Sequence, residues 1–273
     1  MRSADFFAAH PVFTHAEYLS AHGARGNRSP RTADSLLTRG SAAGKVLRVR
    51  RGLYASVPAG VTPDTFQADP YLLATKLASD AAVAYHAALQ FRGKTYSVWH
   101  RFAVLTRSHV RPLVFQGNEF VGIHPGRALD HLPDLGGGIV SEPHAGGTVR
   151  VTTFERTLVD VLDAPDLGGG WEEVWRSLEM VEYFDLAAVV AHTLKRSSAL
   201  TTARVGFFLE QHREELFVEE NHLKALREHV PRQPRYFDRR REAGRLVKPW
   251  NLVIPHGGAQ PTLHAAIRSC FRG

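Results

Sequence analysis

The sequence predicts an α+β chain in two parts: a short head of helices and a hairpin, then a larger domain with an antiparallel sheet and several helices. Three observations predict it. Helix-type and strand-type stretches come in separate runs instead of alternating, which argues against a βαβ architecture. A proline-bearing stretch, SVPAGVTPDTFQADP at residues 56–70, breaks the periodic pattern and reads as a linker. Charge is segregated as well: residues 1–62 hold nine Arg/Lys against three acids (+6), residues 63–223 fourteen against twenty-one (−7), and residues 224–273 eleven against three (+8). The expected division is a head at 1–60, a second domain at 66–255 and a tail, 256–273, that the pattern does not place.

In the head, Thr14 to His22 reads as a helix with Ala16, Leu19 and Tyr18 inward, ended by Gly23. The next helix takes Ser29 as N-cap and Pro30 as its first residue. Ala33, Leu36 and Leu37 form its apolar stripe, leaving Ser29, Arg31, Thr32, Ser35 and Arg39 as the outward, DNA-facing set beside Asp34. After a small-residue turn, Val46 to Tyr54 reads as a hairpin whose tip carries Arg48, Arg50 and Arg51. Helix, turn, helix, basic hairpin is the order of a winged helix-turn-helix domain, in which a helix enters the major groove and the wing lies on the backbone or minor groove. Clustered positive charge suits phosphate neutralisation; the plainer reading is solvated surface charge.

Beyond the linker, Asp69-Pro70 caps a helix through about Leu77, and Asp80 opens a second helix, DAAVAYHAALQFRG, with Val83, His86, Ala87 and Gln90 on one face. Three strand-type runs follow, WHRFAVLT, RPLVFQG and NEFVGIHP, with Gly117-Asn118 as a hairpin signal. A glycine-rich loop leads to a strand at Thr148–Thr152. Thr152 and Glu155, at capping-box spacing, then open a helix with Phe154, Leu158, Val161 and Leu162 inward and Pro165 as its stop. Four more helices are expected at Trp171–Met180, Leu186–Leu194, Thr202–Phe217 and Asn221–Val230, then a strand in Val247–Pro255. Trp99, Trp171, Trp175 and Trp250 read as core anchors. Arg156 and Asp160, four apart, read as a surface ion pair of a few tenths of a kcal/mol, and His86 as a packed residue.

FTHAEYLSAHG followed by a helix led by Ser29 and by VLRVRRGLYA resembles the N-terminal domain of AbiEi-type antitoxins. ERTLVDVLD, the segment around His86 and KPWNLVIP are similar to parts of that family's second domain, so the resemblance covers residues 5–255 and places His86, Arg156 and Asp160 in its antitoxin-domain motif. The resemblance implies a winged-helix repressor of its own operon. Its functional partner would be a nucleotidyltransferase-like AbiEii toxin, opposed in the type IV manner without obligatory binding.

Other chemistries find little support. Nothing resembles a phosphate-cradling glycine loop or a G-x-S-x-G elbow, and no lysine has an acid two residues before it, which removes half of a nuclease-type E-x-K site. Fifteen histidines show no paired metal-ligand spacing, so no metal, cofactor or catalytic residue is expected. The single Cys270 fits a reducing compartment, and the broken apolar run at the start suggests neither leader nor membrane helix, so a cytoplasmic protein is expected. The reading is a DNA-binding, non-enzymatic antitoxin. A nucleic-acid-acting enzyme with a winged-helix targeting domain, and a ligand-responsive regulator without a toxin, remain alternatives.

Overall fold

A computed structural model describes residues 3–23 and 30–255; the expected N-cap Ser29 and the tail 256–273 with Cys270 lie outside the described residues. The chain divides into two compact units. One comprises 1–83, 100–124 and 140–151, and the other 84–99, 125–139 and 152–273. This division does not follow a boundary near residue 60, because the head and most of the sheet strands fall in the same unit.

The first unit begins with helix α1 (Ser3–Ala9), strand β1 (Val12–Thr14), helices α2 (His15–Gly23) and α3 (Pro30–Ala42), and strands β2 (Val46–Arg50) and β3 (Leu53–Ser56). The strands form a three-stranded antiparallel sheet in the order β1-β3-β2. Thr14 and Glu17 cap α2 reciprocally: the Thr14 amide donates to the Glu17 carboxylate at 2.8 Å and the Glu17 amide to Thr14 Oγ1 at 3.2 Å. Tyr18 and His22 point inward from α2, whereas Ala16 is exposed. The large rings won that place because Phe6, Phe7, Phe13 and Tyr18 build an aromatic core that also takes Ala33, Leu37 and Val46. Phe6 meets Phe13 and Tyr18 edge-on, each with centroids 5.1 Å apart, an arrangement that contributes about 0.5–1.5 kcal/mol per pair beyond area burial.

The same unit continues with helix α4 (Pro70–Thr75), capped by the Asp69 carboxylate, and a six-stranded mixed sheet. Its strands are β4 (Ala82–Val83), β5 (Arg101–Leu105), β6 (Leu113–Phe115), β7 (Asn118–Ile123), β8 (Ile139–His144) and β9 (Gly147–Thr152), in the order β6-β7-β5-β4-β9-β8. Asp80 to Ala84, expected to open a helix, is not helical. Ala81, Ala82, Val83 and Ala84 are fully buried, and a short apolar run in a sheet centre carries no alternation that would tell it from a helix. Asp80 instead accepts from the Arg107 amide at 2.8 Å. The hairpin turn is Gln116-Gly117, both at positive φ, with Phe115 opposite Asn118.

The second unit is mostly helical: α5 (His86–Phe91), α6 (Arg127–Asp130), α7 (Phe154–Asp163), α8 (Trp171–Glu179), α9 (Leu186–Arg196), α10 (Ala199–Gln211) and α11 (Glu220–Arg227). A small sheet of β10 (Arg235–Tyr236), β11 (Gly244–Val247) and β12 (Leu252–Pro255), ordered β10-β12-β11, closes it. The N-cap of α7 is Thr153, not Thr152; the Thr153 hydroxyl accepts from the Arg156 amide, while Thr152 bonds the Thr157 hydroxyl at 2.7 Å. Gly206 is obligatory in α10, since a Cβ there would lie 2.0 Å from the Trp250 ring. Trp250 is wholly buried, with its indole N–H on Glu210 at 2.8 Å. Among the described residues no helix is long and apolar enough to cross a membrane.

Candidate nucleic-acid interface

The outward face of α3 is polar and half basic. Arg31, Thr32, Ser35 and Arg39 are all exposed, while Ala33 and Leu37 from the same helix enter the aromatic core. The Ser35 hydroxyl donates back to the Arg31 carbonyl at 2.9 Å, and Asp34 is engaged by His15 Nε2 at 2.6 Å. That contact turns the one acid of the face toward α2. Arg48 and Arg51 on the hairpin are exposed too. Among the described residues, Arg31, Arg39, Arg48 and Arg51 have no ion pair and no side-chain hydrogen bond. Four full charges with no internal partner suit polyanion binding, because nothing has to be broken to make a phosphate contact.

Arg50 departs from the expected set. The β2–β3 ladder shifts register between Arg48 and Arg50, and such a bulge re-aims side chains. The Arg50 guanidinium donates to the Leu77 carbonyl and is only part-exposed, and burial lowers its pKa. It braces the hairpin instead of extending from its tip. Nearby, Lys76 pairs with Glu17, whose own pKa is raised by burial but more strongly lowered by that lysine and by Thr14, for a net decrease.

In the second unit, Arg156 and Asp160 do pair, at 3.2 Å, yet not on the surface: both side chains are 1% exposed. The apolar stripe of α7 is wide enough to carry them inward, since every residue from Arg156 to Leu162 is buried. Arg156 also donates to the Gly137 carbonyl, and its Nη2 has no partner among the described residues. The loop it touches has positive φ at five successive residues, from Asp134 to Gly138. Gly138 is required there, because at φ +67 a Cβ would also sit 2.9 Å from Arg156 Cβ. On the other side of Asp160, His192 Nε2 lies 4.0 Å away. Burial, opposed by Asp160, depresses the His192 pKa to about 4, so the ring is neutral at pH 7. Burial, with the Asp160 charge second, raises the Tyr85 phenol, whose residue holds an unusual backbone conformation of φ 56, ψ −137.

His86 joins neither Arg156 nor Asp160. Its Nε2 lies 3.1 Å from Glu173, its ring stacks on Trp99 at 4.7 Å, and Glu173 is also held by the Ser97 hydroxyl at 2.7 Å. Burial raises the Glu173 pKa, but the Ser97 and His86 hydrogen bonds together lower it by more, for a net decrease; burial lowers that of His86. The Ser97 hydroxyl donates to the carboxylate and not to the imidazole. Among the described residues no group of three His, Cys, Asp or Glu is placed to hold a metal.

The protein is a two-unit, mixed α+β chain that exposes Arg31 and Arg39 on one helix and Arg48 and Arg51 on the hairpin. No family model and no curated protein matches it. Its fold is similar to that in the crystal structure of the RV2827C protein from Mycobacterium tuberculosis, with a TM-score of 0.56 over 94% of this chain and 89% of that one, at 17% identity. At that identity the likeness shows the fold alone.

Proposed function

We propose that this chain binds duplex DNA through a winged-helix head, with α3 in the major groove and the β2–β3 hairpin as the wing. One observation carries the reading: Arg31, Arg39, Arg48 and Arg51 stand exposed and, among the described residues, unpaired on two elements that share an aromatic core. A rigid scaffold with free cations is what phosphate positioning needs, while Ser35 and Thr32 lie where a recognition helix would present base-reading groups. The resemblance of the hairpin and of ERTLVDVLD to AbiEi-type antitoxins extends the proposal. The protein represses its own operon and opposes a nucleotidyltransferase-like toxin without a stable complex.

The test is binding of the full-length protein to its own promoter across a salt series. Affinity should fall by about 0.9 logarithmic units per unit of log salt for each phosphate contacted. A flat salt dependence would sink the DNA reading. For the antitoxin reading, co-expression with the neighbouring toxin gene should show protection, and a pull-down should recover no toxin; a tight toxin complex would favour sequestration instead.

A further inference from the structure

We propose that the outer face of the C-terminal three-stranded sheet is a second nucleic-acid site, one that takes an unpaired strand. Register places Tyr236, Val253 and Leu246 opposite one another across β10, β12 and β11, so their side chains form one row on one face. Neighbouring positions on β12, Leu252 and Ile254, face the core. Two members of the outer row are apolar and exposed: Tyr236 is 41% and Leu246 40% exposed. The segment that carries this row is strongly basic. Residues 232–248 hold seven Arg/Lys against two acids. Arg240 and Arg241, in the connection from β10 to β11, and Lys248, after β11, are exposed and have no ion pair among the described residues.

Charge complementarity selects a polyanion, and the apolar row selects which kind. A duplex presents phosphates and keeps its bases stacked away, so Tyr236 and Leu246 would gain nothing from it. An unpaired strand offers base faces to the ring and phosphates to the cations of the same segment, Arg240, Arg241 and Lys248, the combination by which single strands are held without sequence preference. The site is independent of the head's proposed duplex contact.

The experiment is fluorescence anisotropy of the full-length protein with an oligo-dT of about twelve nucleotides, a usual site size, beside the promoter duplex. Tyr236→Ala should bind oligo-dT about five- to a hundred-fold more weakly while holding the duplex as the parent does, and Tyr236→Phe should retain oligo-dT binding. The double change Arg240→Glu, Arg241→Glu provides a second route to the same loss should Tyr236→Ala be misfolded by circular dichroism. The proposal is overturned if the parent does not bind oligo-dT, if Tyr236→Ala binds it unchanged, or if Tyr236→Ala weakens duplex and single strand alike. It is also overturned if Arg48→Ala with Arg51→Ala abolishes oligo-dT binding, which would put the strand on the head. Loss of promoter binding in that wing variant with oligo-dT binding intact supports both readings. A parent that binds oligo-dT and not the promoter removes only the winged-helix reading.

Discussion

Arginines do opposite jobs in the two units. On the head, Arg31, Arg39, Arg48 and Arg51 are exposed and have no ion pair or side-chain hydrogen bond among the described residues; in the second unit, Arg156 is sealed against Asp160 and the Gly137 carbonyl, and Arg204 gives its donors to the carbonyls of Leu162, Asp163 and Phe237. Burial depresses the Arg204 pKa to about 10, with nearby carboxylates opposing, which leaves it charged at neutral pH. The difference teaches where a positive charge is available for a ligand and where it is part of the fold. A solvated guanidinium loses little by being removed and can bind phosphate. A buried one satisfies groups that have no other partner, so its loss is felt in stability before any function.

The sharpest break of that comparison is Arg156→Ala. It strands the Asp160 carboxylate in the core and frees the Gly137 carbonyl, so stability should fall by about 3–5 kcal/mol. Urea unfolding followed by circular dichroism measures it. A change below about 0.5 kcal/mol, the scale of a surface pair, would return Arg156 to the outside of the protein and dissolve the contrast. Arg31→Ala in the same assay should leave the midpoint where it was.

The second effect is pH-dependent and works through His192. Its folded pKa of about 4 lies below the ordinary value of 6.5, so the native state favours the neutral ring. The unfolded chain takes up a proton first as pH falls. Stability is therefore full above about pH 6.5 and is lost progressively toward pH 4, by up to about 3 kcal/mol from this group. Unfolding midpoints at pH 7.5 and 5 compare the parent with His192→Gln, in which the slope should shrink; an equal slope in both would place the titration elsewhere, with the depressed His86 as the next group to change.

These contrasts mark what the sequence could and could not disclose. The mixed α+β class, α3 with its inward Ala33 and Leu37, the Asp69 cap and the inward Leu158, Val161 and Leu162 were legible, because each rests on local periodicity or on a capping residue. β4 was not, since two residues in a sheet centre have no period to read. β8, β10 and β11 were missed because IVSEPH, RY and GRLV are short, polar or charged, and pair only through partners elsewhere in the chain. Arg156 was misplaced for a related reason: i,i+4 spacing reports that two charges can meet, and says nothing about what covers them. The Tyr85 conformation and the run of positive φ from Asp134 to Gly138 left one signal, the triple glycine, which reads equally well as an ordinary loop.

The smallest expected effect tests the contrast inside the hairpin itself, between adjacent arginines. Arg50 donates to the Leu77 carbonyl, whereas Arg51, one residue on, is exposed and has no partner among the described residues. Arg50→Ala should therefore lower stability by about 1.5–3 kcal/mol, the range for a hydrogen bond that involves a charged group. Arg51→Ala should cost none that unfolding can resolve. In promoter binding the order reverses. Arg51→Ala removes a free cation, so the slope of log affinity against log salt should become shallower by about 0.9, with all duplex sequences weakened alike. Arg50→Ala leaves the count of free cations unchanged and should keep the parent's slope, any loss of affinity tracking the loosened hairpin. Equal slopes for the two variants would mean that Arg50 releases Leu77 and reaches phosphate, joining the wing that its sequence position first suggested.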